Sequence, residues 1–176
     1  MQAYDWQAIV GEYGSLVWQT AYRLLGNPAD AADCFQETFL GALEVSRRQH
    51  VRNLPGLLAR LATTRAIDRL RQKSRQDRHQ AGAGGDGPVA EGASPLSIVE
   101  TQEITGQMRE AIAQLPAQEA RVFCLRYLND MSYRQIAREL DIGINVVGVS
   151  LHRARARLRK ALGAAQVEDE VSHDER

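Results

Sequence analysis

The residues able to do chemistry in this chain are mostly arginines, and their chemistry is ionic. Arg153, Arg155, Arg157, Arg159 and Lys160 crowd one stretch, and no acidic residue interrupts 144–165. A second group, Arg60, Arg65, Arg69 and Arg71, lies near Asn53, Thr64 and Asp68. Guanidinium groups bind phosphate oxygens, and amides and hydroxyls pair with base edges. Covalent chemistry has no comparable support. No nucleophile stands beside a general base, the four histidines are scattered, and the two cysteines, Cys34 and Cys124, keep no metal-ligand spacing. We therefore expect no enzyme activity, no metal and no cofactor.

The elements that must position these groups read as helices. In 133–162, Ile136, Ala137 and Leu140 recur at helical spacing behind Ser132 and Gln135, a capping-box pair. A break follows at Asp141-Ile142-Gly143. Val147, Leu151, Ala154, Leu158 and Leu162 then form one apolar stripe, with the cations off it. This is the pattern of a helix-turn-helix whose second helix enters a DNA groove. The same pattern also fits an ordinary hairpin with a solvated basic face. A membrane-surface helix fits less well, because its apolar side lacks Trp and Phe.

Upstream, Trp6, Ile9, Val10, Tyr13, Val17 and Ala21 mark a first helix reaching Leu25, with the aromatic residues read as core. Gly26-Asn27-Pro28 is a stop followed by a start. The next helix, from Ala29 to about Arg47, buries Ala31, Phe35, Phe39, Ala42 and Leu43 and leaves Asp33, Gln36, Glu37 and Leu40 off the stripe. Spacing alone makes that side a solvated acidic face. A loop is expected over 46–53, and Leu54-Pro55 opens a long Arg-rich helix. Residues 80–94 are Gly/Ala-rich and aperiodic, a flexible linker. Their G-x-G-x-x-G at Gly82, Gly84 and Gly87 follows no strand and opens no apolar helix, so a dinucleotide site is excluded. Ser94-Pro95 can start a further helix through Met108, Ile112 and Leu115, and Leu115-Pro116 starts another. No strand-like alternation occurs. The fold class expected is all-α: two small helical domains joined by a flexible linker, the second containing the helix-turn-helix.

Net charge is zero over 176 residues, but its distribution is uneven. Residues 1–46 carry six acidic side chains against Arg23 alone; 47–78 and the last helix are basic, and 168–175 are mostly acidic. Separate faces for separate partners follow. No apolar run is long enough for a membrane span and no secretory leader is present, so a cytoplasmic protein is expected.

Four segments in register give the chain a resemblance, over about Val10 to Leu162, to the extracytoplasmic-function (ECF) sigma factors of bacterial RNA polymerase, in the sigma-70 family. DAADCFQETFLGAL resembles the family's polymerase-binding helix, commonly D-A-E-D-L-x-Q-E-T-F. NLPGLLARLATTRAIDRLRQ resembles the helix that recognises and melts the minus-ten element. LPAQEARVFCLRYLNDMSYRQIARELDI resembles the start of the fourth conserved region, and VSLHRARARLRKAL its recognition helix. The resemblance implies four segments: 1–79, a region 2-like domain; 80–96, the linker; 97–165, a region 4-like domain; and 166–176, a disordered acidic tail. It implies polymerase contacts at Asp33, Gln36, Glu37 and Leu40, made to the beta-prime clamp helices, with the second domain on the beta flap. Minus-ten contacts fall on Asn53, Arg60, Thr64, Arg65, Asp68, Arg69 and Arg71, with 46–53 as the loop that captures an unstacked base. Minus-35 contacts fall on Ser132, Tyr133, Arg134, Asn145, Val146, Val149, His152, Arg153, Arg155 and Arg157. An anti-sigma partner is expected on resemblance alone.

The recognition stretch departs from the family's common G-T-V-K-S-R-L-H-R-A-R. Gly148 stands where Lys is common and Ser150 where Arg is common. With Val147, Leu151 and Ala154 inward, the outward line is Asn145, Val149, His152 and Ala156, with little charge for phosphate. Two other functions stay open at this point: a helix-turn-helix regulator acting without polymerase, and a degenerate sigma-like interaction module.

Overall fold

The computed structural model describes residues 4–81 and 105–163. Seven helices, and no strand, occur among them: α1 (Trp6–Leu25), α2 (Pro28–Arg48), α3 (Leu54–Ala81), α4 (Gly106–Gln114), α5 (Ala117–Tyr127), α6 (Tyr133–Leu140) and α7 (Ile144–Leu162). The starts are set by side chains that satisfy first-turn N–H groups. Asp5 Oδ1 accepts from the amides of Gln7 and Ala8. Asn27 Oδ1 accepts from Asp30 N at 2.9 Å, with Pro28 in the first turn. Thr105 Oγ1 accepts from Met108 N. Ser132 and Gln135 close the expected capping box in both directions.

The stops differ in kind. Gly26 ends α1 at φ 73°, a left-handed position that glycine takes without Cβ strain. An added Cβ there would also strike the guanidinium of Arg109, which donates to Arg23 O. The turn between α6 and α7 uses Asp141 for its left-handed residue (φ 52°), while Gly143 is extended and serves as the start of α7. Asp tolerates that region better than most side chains.

Element ends move slightly from the expected ones. Helix α2 continues to Arg48, so the loop expected over 46–53 shortens to 49–53. Helix α3 continues to Ala81, past the expected domain end at 79, and its last turns are tied to α4 by Ser74 donating to Glu110 and Arg78 donating to Gln114. The cap at Thr105 sets the start of α4. The expected start at Ser94-Pro95, nearly all of the linker and the acidic tail lie outside the described residues.

Helices α1–α3 bury Ile9, Val17, Phe39, Leu57 and Leu58 among themselves. A second cluster joins the two halves: Leu24, Ala31, Ile67 and Leu70 meet Ile112, Leu115, Ala120 and Leu158. A third holds the helix-turn-helix through Val122, Leu125, Ile136, Val147 and Leu151, and Ala59 of α3 belongs to it. The two helical sets are thus packed on one another along α3. Their junction is also polar and paired. Asn129 accepts from Thr20 Oγ1 at 3.0 Å and donates to Thr63 Oγ1 at 3.3 Å, and Ser74 donates to Glu110 at 2.7 Å. Thr20, Thr63 and Ser74 are buried, so these bonds remove desolvation costs and give the junction a definite register.

Both cysteines are buried and free. Burial raises the Cys34 thiol, and it pushes Cys124 up to about 12. Since the thiolate is the reactive form, the native chain should not react with Ellman's reagent at neutral pH. The unfolded chain should titrate both thiols.

Candidate nucleic-acid interface

Ile136, Val147 and Leu151 pin α6 to α7 and are fully buried. That orientation leaves the expected outward line exposed: Asn145, Val149, His152 and Ala156, joined by Val146 and Arg153. Ile144, Val146 and Val149 make the entering half of α7 an exposed apolar edge. The expectation did not include Ile144, which precedes the first stripe residue. Ser132 and Arg134 are exposed and Tyr133 is half-buried, but the Ser132 hydroxyl is engaged as the α6 cap.

Ser150 is not a surface position from which a cation has been lost. It is buried, and Gln118 Nε2 donates to its Oγ at 3.2 Å, tying α7 to α5. At Gly148 an added Cβ would meet the Tyr133 ring at 3.8 Å, ordinary contact. Gly148→Ala should therefore raise the unfolding free energy by about 0.5–1 kcal/mol through helix propensity, measurable by urea denaturation.

Two of the expected upstream-element arginines are turned towards α5. Arg155 Nε donates to the Tyr127 hydroxyl at 2.7 Å, and its guanidinium lies 5.5 Å from that ring's centre. Arg157 approaches the buried Glu119 at 3.0 Å, a close ion pair without hydrogen-bond alignment. Arg157 stays exposed despite this pair, and Arg153, Arg159 and Lys160 are exposed as well.

The minus-ten candidates divide between two sides of α3. Five residues turn a helix by roughly 140°, so Arg60 and Arg65 cannot share a face, whereas Arg65 and Arg69, four apart, do. Arg65 lies across Gly41 of α2, where a Cβ would collide with its guanidinium. Arg69 pairs with Glu37 at 2.5 Å and Asp33 at 3.6 Å. Its partial burial opposes the charge, but the Glu37 bond and the two carboxylates outweigh it and hold Arg69 firmly protonated. Residues expected to serve polymerase and DNA separately are therefore in contact.

Asn53 and Arg60 look the other way, towards α6. Asn53 Oδ1 caps α3 by accepting from Gly56 N at 3.2 Å, and its Nδ2 donates to Glu139 Oε1 at 2.7 Å. Arg60 Nε stands 4.0 Å from Glu139 Oε2. Thr64 and Arg71 are half-buried and Asp68 is exposed. Spacing could not reveal Glu139 as a partner of this group, since it lies 86 positions from Asn53.

On α2, Asp33, Gln36, Glu37 and Leu40 are exposed together, Leu40 by 61%. Beside them runs an apolar groove of about 440 Å³ between α1 and α2, lined by Trp6, Val10, Phe35, Phe39 and Leu43. Of the α1 aromatics, Trp6 and Tyr13 pack half-buried against the N-terminal core as expected, whereas Trp18 and Tyr22 stack on the surface with ring centres 6.2 Å apart. Helix α1 has more apolar residues than one buried stripe can hold. Among the described residues no group of His, Cys, Asp and Glu could hold a metal ion, and no helix is long and apolar enough to cross a membrane.

An arginine-bearing helix in each of two helical sets, one of them a helix-turn-helix, is the build of a DNA-binding protein. Comparison with known proteins gives the family. Residues 9–76 match the model of sigma-70 region 2, and 105–158 that of sigma-70 region 4. The ECF RNA polymerase sigma factor SigW of Bacillus subtilis is 33% identical over 162 residues, spanning 88% of this chain and 87% of that one. SigE of Mycolicibacterium smegmatis is 27% identical over 158 residues, spanning 90% and 62%. Two solved structures share the fold. The sigma factor RpoE of Bartonella quintana, in complex with the anti-sigma factor NepR, gives a TM-score of 0.56 at 18% identity, covering 93% of this chain and all of that one. CnrH, in complex with the cytosolic domain of CnrY, gives 0.58 at 21% identity, covering 91% and 88%. The chain belongs to the ECF sigma factors of the sigma-70 family, and it acts in transcription initiation.

Proposed function

We propose that this sigma factor binds core polymerase through α2 and reads its promoters with two helices, α3 at the minus-ten element and α7 at the minus-35 element. It acts by binding, in the compartment where polymerase works. The observation that carries the polymerase contact is the α2 face, where Leu40 stands 61% exposed among Asp33, Gln36 and Glu37. With the neighbouring groove of Trp6, Val10, Phe35, Phe39 and Leu43 it makes an exposed apolar patch rimmed by polar and acidic groups, the mark of a protein-binding surface. The units assigned to these tasks are 1–79 and 97–165, with 80–96 as the connector. Asn53, Arg60, Thr64, Arg65, Asp68, Arg69 and Arg71 serve the melted strand, where cations track the backbone and a base is held out of the stack. An anti-sigma partner is part of this proposal, supported by the RpoE relative having been solved with NepR.

At the upstream element the exposed row of Asn145, Val149 and His152 carries the sequence preference, and Arg153, Arg159 and Lys160 follow the phosphates. Asn145→Ala should cost about 1–3 kcal/mol at one base pair, with adenine the best candidate. Selection from randomised upstream sites should then relax at a single position.

Run-off transcription with cognate core polymerase on genomic fragments tests the whole proposal. Discrete start sites are expected. Their absence, with core binding intact, would leave an interaction module; binding to DNA but not to core would leave a regulator that works without polymerase.

A further inference from the structure

Glu139 occupies an unusual place for a carboxylate. It comes from α6, in the C-terminal helical set, and enters the α3 face that carries Asn53 and Arg60. One oxygen takes the Asn53 amide at 2.7 Å and the other faces Arg60 Nε at 4.0 Å. Its side chain is only 11% exposed. Arg60 Nε is buried and has no hydrogen-bond partner among the described residues, and the carboxylate of Glu139 is the charge that faces it.

The approach is built into the backbone. Gly56 sits beneath the contact, and a Cβ there would collide with both the Asn53 amide nitrogen and Glu139 Oε1. Asn129, bridging Thr20 and Thr63, holds the preceding turn of the C-terminal set against the N-terminal helices. A carboxylate offers what a nucleotide offers to an amide and a guanidinium: planar acceptor oxygens and a negative charge. DNA and Glu139 cannot occupy Asn53 and Arg60 together.

We propose that Glu139 is an intramolecular competitor of single-stranded DNA, latching the helix-turn-helix set over part of the minus-ten face in the free protein. This rests on the reading of Asn53 and Arg60 as minus-ten residues. Glu139 must leave Asn53 and Arg60 before the melted strand can take them, so the free protein binds single strands weakly through this face.

The test uses the full chain and a fluorescent single-stranded 15-mer of mixed sequence, followed by anisotropy. Glu139→Ala should tighten binding about tenfold, as expected when a face left open by its carboxylate about one-tenth of the time becomes open in most molecules. Glu139→Gln keeps an acceptor for Asn53 but loses the charge facing Arg60, and should fall between. Glu44→Ala removes an exposed α2 charge and should change affinity less than twofold. In an Asn53→Ala, Arg60→Ala background the gain from Glu139→Ala should vanish. No gain, a gain matched by Glu44→Ala, or a gain that survives in that background would each overturn the latch. The minus-ten reading is separated by holoenzyme assays. Impaired promoter opening by Asn53→Ala with Arg60→Ala keeps that reading even where the latch fails, and undiminished opening sinks the reading itself.

Discussion

Glu37→Lys should lower the affinity for core polymerase by about 2 kcal/mol, close to 30-fold, the scale of a single anchoring residue at an interface. Glu37 is half-exposed and sits on the α2 face beside Leu40. The substitution reverses its charge and also sets a second cation against Arg69, leaving that guanidinium only Asp33 at 3.6 Å. The free protein should barely register the change, since an exposed pair is worth about 0–1 kcal/mol. Competition between variant and wild-type chains for limiting core enzyme measures the effect, with thermal melting as the control. Undiminished capture of polymerase would remove α2 from the interface. The contact between Arg69 and Glu37 adds a second consequence. Arg65→Ala with Arg69→Ala is expected to impair promoter opening, but losing Arg69 also leaves Glu37 and Asp33 without their cation, so core binding has to be measured beside it.

Ile112→Ala should reduce the free energy of unfolding by about 3 kcal/mol, within the range for a fully buried aliphatic cut to a methyl. That is a large part of the roughly 5–15 kcal/mol by which a folded domain is stable, and it should lower the melting temperature by about 6–12 °C. Ile112 has no exposed surface and belongs to the cluster in which Leu24 and Ile67 of the N-terminal set meet Leu115 and Leu158 of the C-terminal set. The loss should therefore be felt by tryptophan fluorescence, which reports only the N-terminal set through Trp6 and Trp18, as well as by circular dichroism, which reports all helices. Coincident transitions are expected. Separate transitions by the two probes would show that the sets unfold independently.

Much of the local structure was legible in the sequence because it depends on neighbours a few positions apart. The cap at Asn27, the capping box of Ser132 and Gln135, and the inward stripe of Val147, Leu151 and Leu158 are all short-range patterns, and each is present. What the sequence did not carry depends on which distant surface meets which. Leu24 and Leu115 advertise burial but not each other. The Arg60, Arg65 and Arg69 series reads as one basic row until the turn per residue divides it between α6 and α2. Ser150 reads as a missing surface cation, because nothing near it in sequence says that Gln118 is waiting across the packing. Asn53 was visible as a candidate, whereas Glu139, which holds it, was not.

The cluster shared by the two helical sets also gives the domain arrangement a temperature dependence. Moving the sets apart puts Leu24, Ile67, Ile112, Leu115 and Leu158 into water unless a partner covers them. Exposing apolar surface raises heat capacity, and apolar association weakens on cooling. The closed arrangement of this sigma factor is therefore cold-labile in principle. Its readiness to open is a thermal property written in five aliphatic side chains.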